Sequence, residues 1–400
     1  MSSKRILIIG GTTRAAADSV RRAGWQPVCA DLFADLDLRA NAETVRVRQY
    51  PDSLAEDVSH VKADGWFYCG ALENSPDIIE ELMTRSSSLG PLLGCLPHAL
   101  KRVRSPFWLV NCLRWEGFTM LDVATQSSPP PADGTWLQKP LAGAGGRLIR
   151  VWDESAAATP FSEPHYFQSR AGGIALSAIF RFESGCAEWL GASRELAAPD
   201  NSHPPTAFSY CGSCGPLVMT RETTRSDGVT DGGSISDHRI PEHAINTLTR
   251  MARVLSKQTP GLNGLVGFDF RFDGDNVWVT EINPRYTASV EILEFGLKRS
   301  FLNPDLNTEL NCHPPTSDSR FVVKQVVYAT RPLIAPDLSR WVSVGDPWRI
   351  PEIADITMGG MPVEAGWPIC TLLAAGPTVQ EAQTQIDQRL ALLSRQFDQA

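Results

Sequence analysis

Gly267-Phe-Asp-Phe-Arg-Phe-Asp-Gly-Asp-Asn-Val-Trp-Val-Thr-Glu-Ile-Asn-Pro-Arg285 is the stretch whose reading decides the fold. Phe268, Phe270 and Phe272 alternate with Asp269 and Arg271, the period-2 pattern of a half-buried strand, and Val277 to Asn283 reads as a second strand after the turn-rich Asp273-Gly-Asp-Asn276. Glu281 and Asn283 then share one face. A loop confined to Gly274–Asn276 would set Asp269 directly opposite Glu281, with Cβ atoms about 4.5–5.5 Å apart. Carboxylates and an amide oxygen on a rigid sheet suit a hard cation that keeps waters for the rest of its shell, so Mg²⁺ fits and a soft metal does not. In the metal-free chain Asp269 and Glu281 are expected to repel one another. The plain alternative is a hairpin whose outer face is simply solvated, and other segments decide between the two.

Asp269, Glu281, Asn283 and Arg285 in this setting resemble the C-terminal metal motif of the ATP-grasp superfamily, which includes biotin carboxylase and D-alanine–D-alanine ligase. About 130 residues upstream, Trp136-Leu-Gln-Lys139-Pro-Leu-Ala-Gly143-Ala-Gly145-Gly146-Arg-Leu-Ile-Arg-Val151 reads strand, glycine-rich loop, strand, and resembles that family's phosphate-covering loop with its strand lysine. Glycines let backbone N–H groups approach phosphate oxygens, and the lysine supplies a point charge. By itself the loop is equally a flexible hairpin turn. Tyr166-Phe-Gln168-Ser-Arg-Ala-Gly-Gly173-Ile-Ala-Leu-Ser177 resembles the adenine-binding hinge, with Gln168, Gly173 and Ser177 matching and Ser169 in place of the usual glutamate. Ala99 to Phe118 resembles the helix that opens the nucleotide domain and ends in Gly-Phe; the family's basic residue is absent there, and Arg104 is the nearest substitute.

Arg5-Ile-Leu-Ile-Ile-Gly10-Gly11, a helical segment from Thr13 to Ala23, a stop at Gly24 and the strand Pro27-Val-Cys-Ala-Asp31 form a βαβ opening. It lacks G-x-G-x-x-G, which argues against a nicotinamide dehydrogenase. Asp31-Leu-Phe-Ala-Asp35-Leu-Asp37 and Gly70-Ala-Leu-Glu73-Asn74-Ser-Pro76 resemble a subgroup of predicted carboligases related to biotin carboxylase, some of which accompany methanopterin-type one-carbon pathways. Glu73 and Asn74 follow the apolar Gly65–Cys69, so they fall at a strand's carboxyl end, where open α/β sheets bind ligands; an ordinary polar N-cap is the alternative. Asp355 to Gly376, followed by an amphipathic helix from Val379 to Phe397, resembles the C-terminal barrel-like segment of biotin carboxylase-type proteins and is expected to pack over the nucleotide lobe.

The resemblance therefore implies a mixed α/β (α+β) chain with an ATP-grasp fold. Its expected parts are a Rossmann-like pre-ATP-grasp lobe (1–98), a nucleotide domain (99–300, divided at 170/171) and a biotin-carboxylase-like C-terminal domain (320–400). Turn-rich connectors are expected at 127–134, 198–205 and 303–319. The 400 residues, 42% apolar, suffice for several lobes, and the net charge of −8 with no basic block argues against nucleic-acid binding. No apolar run reaches membrane-spanning length, and the cytoplasm is the default address. Nine scattered cysteines fit a reducing compartment; Cys211-Gly-Ser-Cys214 reads as a loop bordering the active site rather than half a zinc site.

What the resemblance implies chemically is ADP-forming ligation of a small-molecule carboxylate to an amine or other nucleophile through an acyl phosphate, with ATP and Mg²⁺ (or Mn²⁺) as cofactors. Asp269, Glu281 and Asn283 would hold the metal. Lys139 would hold the α/β-phosphates, Gly143, Gly145 and Gly146 would cap the triphosphate, and Gln168 would belong to the adenine hinge. Arg285 would stabilise the transferred phosphoryl group or orient the acceptor carboxylate, its alternative being a structural salt bridge. A carboxyphosphate-forming enzyme, a small-molecule kinase and a non-catalytic ATP-binding protein stay open as alternatives, and a homodimer is an open expectation.

Overall fold

The computed structural model describes residues 3–197, 204–220, 238–303 and 320–397, so most of the connectors expected at 198–205 and 303–319 lie outside the described residues. Arg5–Gly10 forms β1, and its apolar run is buried on both faces: Leu7 and Ile9 join one hydrophobic cluster, Ile6 and Ile8 another. Helices or loops on both sides of a parallel sheet produce that pattern. β2 (Gln26–Asp31), β3 (Glu43–Arg46) and β4 (Gly65–Tyr68) complete a parallel sheet of order β3-β2-β1-β4. Gly10 is required where β1 meets β4, because a Cβ there would lie 2.7 Å from the Cys69 carbonyl oxygen.

The single helix expected from Ala99 is two, Pro97–Val103 and Pro106–Trp115. Ser105 caps the second by accepting from the Trp108 N–H (3.3 Å), and Pro106 takes its first turn, where the missing N–H is harmless. The break leaves Arg104 at the end of the first helix. β5 (Val123–Thr125), β6 (Asp133–Pro140), β7 (Arg150–Asp153) and β8 (His165–Ser169) then form an antiparallel sheet, β5-β8-β6-β7.

The second half is built on one eight-stranded sheet. β9 (Ile174–Glu183), β10 (Cys186–Glu195) and β11 (Gly212–Gly215) are followed by a separate pair, β12 (Val218–Thr220) with β13 (Arg239–Pro241). β14 (Gly264–Phe272), β15 (Val277–Asn283) and β16 (Phe321–Tyr328) come next. They precede β17 (Leu333–Ile334), β18 (Ile353–Ala354), β19 (Pro362–Val363) and β20 (Pro368–Gly376). The order is β15-β14-β9-β10-β11-β16-β20-β18. The C-terminal strands thus extend the sheet of the β14–β15 hairpin edge to edge through the β11–β16 pair, where packing over the nucleotide lobe was expected. Cys211–Cys214 correspondingly runs into strand β11 rather than a loop.

One face of the sheet carries Phe180, Phe182, Phe268, Phe270 and Phe272 in a cluster with Leu248, Met251 and Leu255 of the helix Glu242–Gln258. The opposite face carries the row Ser193, Ser177, Asp269 and Glu281, in cross-strand register. The amphipathic helix Val379–Phe397 has the predicted bounds and buries Ala382, Ile386 and Leu393.

The helix Ala288–Leu297 ties the two ends of the chain to this sheet through buried charges. Glu291 accepts from Arg14 and from Lys324 (2.7 Å), Arg14 also reaches Asp355 (2.9 Å), and Glu294 pairs with Arg22 (2.7 Å). Burial alone would raise the Glu291 carboxyl, but Arg14 and Lys324 hold it far below the ordinary carboxylate range. A depressed acid stabilises the fold fully above its unfolded pKa and loses that contribution as pH falls through the folded value. Glu291→Gln should therefore destabilise by about 3–5 kcal/mol at neutral pH. In urea unfolding, the gap between parent and variant should narrow once the pH drops below about 4.3.

Candidate active site

Asp269 does lie opposite Glu281, by a different route from the expected loop. The loop holds four residues, since Phe272 pairs with Val277, and the register runs to Phe270 against Val279 before shifting. Asp273 closes the wider turn by accepting from the N–H groups of Asp275 (3.1 Å) and Asn276 (2.8 Å) and from the Trp278 indole (2.9 Å). A bulge at Thr280 then absorbs the residue and restores the Asp269–Glu281 pair. The bulge has a second effect. The Thr280 carbonyl accepts from the Lys139 ammonium (3.3 Å) and the Gln168 amide (3.3 Å), joining the hairpin to the other sheet.

Lys139 on β6 is buried, donates to Gln168 Oε1 (3.1 Å) and lies 5.7 Å from the Tyr166 ring centroid. Burial opposes its charge, but Tyr166 and Glu281 outweigh it and raise the ammonium above its ordinary value. Lys139 faces Tyr166 in register, and Gln168 follows two residues along β8 on the same face. Ser169, in the place of the family's glutamate, accepts from the Asp122 N–H (2.9 Å).

The glycine loop is held at both ends. Gly143 O accepts from Asn74 (3.3 Å) and Arg104 (3.0 Å), Gly145 O from the Tyr210 N–H (3.1 Å), and Gly146 O from Thr206 Oγ1 (3.2 Å). Gly146 has φ +74°, and a Cβ there would fall 1.7 Å from the Phe208 carbonyl oxygen. Arg104, Lys139, Gly143, Gly146, Gln168 and Glu281 line one cleft.

Arg104 enters this cleft because of the helix break, donating to Glu281 and to Asn74 Oδ1 (3.2 Å). Burial would raise the Glu281 carboxyl, and Arg104 and Lys139 bring it below the ordinary value instead. Asp269 behaves oppositely: burial and the Glu281 charge push it up to about 6 against a Ser177 hydrogen bond. Glu195, two residues beyond Ser193 on the same face, is pushed up to about 8 by burial and by Asp269 and Glu281. The sequence reading missed Glu195, whose place on this face depends on the β9–β10 register beyond the irregularity at Trp189/Gly191.

These residues fit a hard cation. The raised Asp269 and Glu195 carboxyls are what a nearby positive charge would relieve. Among the described residues, no group of three or more His, Cys, Asp or Glu side chains is placed to hold a metal ion. Asn283 turns its amide nitrogen to Asp269 (2.6 Å) and its oxygen towards Arg285, so it would offer oxygen to a cation only after the amide rotates. Arg285 sits farther along, paired with Glu73. The Cys211 and Cys214 thiols are raised by burial, Cys214 to about 11, which disfavours metal-binding thiolates.

An ATP-grasp domain model matches residues 107–289. Residues 107–289 thus carry an ATP-grasp domain, and the fold is related to that of biotin carboxylase. Tyramine–L-glutamate ligase of Methanocaldococcus jannaschii is 28% identical over 109 residues, 27% of this chain and 32% of that relative, so the match spans about a third of the curated protein. Biotin carboxylase of Campylobacter jejuni, solved with βγ-ATP, superposes with a TM-score of 0.62 at 14% identity over 95% of this chain and 89% of its own. An L-amino acid ligase of Bacillus licheniformis gives 0.63 at 14% identity over 96% of each chain. No helix among the described residues is long and apolar enough to cross a membrane.

The expected repulsion between Asp269 and Glu281 does not govern Glu281, because its charge is taken up by Arg104. Glu281→Gln should therefore lower thermal stability, by about 1–2 kcal/mol, as Arg104 loses a charged partner. Additional loss of Arg104 in the double variant Glu281→Gln, Arg104→Met should restore part of it, measured by urea unfolding without metal.

Proposed function

We propose that the protein is an ADP-forming ligase that activates a small-molecule carboxylate with ATP and joins it to an amine. The observation that carries this reading is Glu281, the cross-strand partner of Asp269, lining the same cleft as Lys139 and the glycine loop, with Arg285 on the following turn. The M. jannaschii relative and the B. licheniformis neighbour, both named as ligases, support it. Activation of a carboxylate by phosphoryl transfer needs charge neutralisation and alignment rather than a protein nucleophile.

Lys139 and the Gly143–Gly146 backbone would hold the phosphates and exclude water, and Gln168 would orient Lys139 at the hinge. Asp269, Glu281 and a rotated Asn283 would hold Mg²⁺, which when bound neutralises charge developing on the phosphoryl oxygens. Arg285 would meet the transferred group or the acceptor carboxylate with two donors at once. Amine attack on the acyl phosphate forms the amide, releasing phosphate and the amine's proton.

A screen of carboxylate and amine pairs for ADP release, with product mass, tests the reaction. A joined product is expected; phosphorylated substrate alone would mean a kinase, and no turnover a binding protein. Lys139→Ala should weaken MgATP binding by roughly 10–100-fold, the value of a lost charged hydrogen bond, and adenosine binding far less. Calorimetry gives both, and equal loss for the two ligands would overturn the phosphate role.

A further inference from the structure

One buried carboxylate of the site has no part in the mechanism above. Glu73 lies in the short 3₁₀ turn Leu72–Asn74 just beyond β4, at the carboxyl end of the N-terminal parallel sheet. Its side chain is fully buried: Oε1 accepts from Arg285 Nε, and Oε2 has no hydrogen-bond partner among the described residues. The other edge of Arg285 is less engaged. Nη1 donates to the Tyr286 carbonyl (3.1 Å) and Nη2 lies 3.5 Å from Asn283 Oδ1, on the side of the Asp269–Glu281 pair. Arg285 already acts on that pair, since its charge lowers both carboxyls.

A guanidinium in this position has competing anions. Asp269 faces Glu281 and has no guanidinium of its own, so an untethered Arg285 would be drawn towards it and would occupy a carboxylate needed for the cation. Glu73 holds the Nε end back. Its neighbour Asn74 does the same for the other arginine, accepting from Arg104 Nη2 (3.2 Å). Adjacent residues of the N-terminal lobe therefore each hold one arginine, Arg285 and Arg104.

We propose that Glu73 is a positioning residue, which fixes Arg285 through Nε so that its Nη edge meets the oxygens of the phosphoryl group in transfer. The proposal rests on the ADP-forming reading only in giving Arg285 a phosphoryl partner. It makes the Glu73–Arg285 contact a condition for phosphoryl transfer and not for nucleotide binding.

The test compares calorimetric affinities of the full chain for Mg²⁺–ADP and for Mg²⁺–ADP–aluminium fluoride, a mimic of the phosphoryl group in transfer. Glu73→Gln, which keeps an acceptor for Nε and deletes the charge, should bind ADP within about twofold of the parent. It should bind the aluminium fluoride complex about tenfold more weakly, the value of a weakened charged hydrogen bond. Adding Glu73→Gln to Arg285→Ala should cause no further loss. Parallel loss for both ligands, no loss for either, or additive losses in the double variant would overturn the proposal. Should Glu73→Gln not fold, Glu73→Asp, which keeps the charge with a shorter reach, is read in the same way. If no carboxylate and amine pair gives a joined product yet the tenfold discrimination is found, the ligase reading falls while the positioning of Arg285 stands.

Discussion

Asp269 and Glu281 face one another across a strand pair, and the rest of the site answers the charge problem this creates. The pairing depends on one bulged residue, Thr280; without it, the four-residue loop closed by Asp273 would place Thr280 opposite Asp269 and turn Glu281 to the aromatic face. The same bulge exposes the carbonyl to which Lys139 and Gln168 attach. A one-residue irregularity therefore sets both the carboxylate pair and the seam between the two sheets.

The compensating cations come from different parts of the chain. Lys139 stands on the antiparallel four-stranded sheet, Arg104 at a helix break, and Arg285 at the end of β15, held by the N-terminal lobe. They compensate unequally. Glu281 receives Arg104 directly and is lowered, whereas Asp269 has Ser177 and the Asn283 amide and is raised. Two carboxyls on one rung thus differ in proton affinity because only one touches a guanidinium, a division of neighbouring acids by environment alone.

Much of this was legible from local pattern. The alternation of Phe268, Phe270 and Phe272 located the hairpin, the strand Val277–Asn283 has the bounds read from sequence, and the apolar spacing of the last helix predicted Val379–Phe397. What stayed hidden depended on distant partners. A four-residue turn with a bulge and a three-residue turn without one give the same Asp269–Glu281 pair, and only the Asp273 hydrogen bonds select between them. Arg104 meets Glu281 across 177 positions of sequence, although Ser105-Pro106 signalled the break that aims it. Glu195 depends on the β9–β10 register, which shifts between Trp189 and Gly191, and strand parity before that irregularity does not reveal the face after it. The addition of β16 and β20 to the same sheet is likewise non-local.

Arg104 connects two features that the sequence presents as separate motifs. One of its amino groups neutralises Glu281 and the other holds the carbonyl of Gly143. A cation that takes over the charge of Glu281 removes the reason for Arg104 to stay there, and a phosphate beneath the loop offers it a better partner than a backbone carbonyl. Both changes act through a single guanidinium, so the state of the carboxylate pair and the N-terminal anchor of the glycine loop are mechanically linked. On the far side of the loop a Cβ at Gly146 would meet the Phe208 carbonyl, and Gly145 accepts from Tyr210. Arg104 thus touches both the carboxylate pair and the glycine loop.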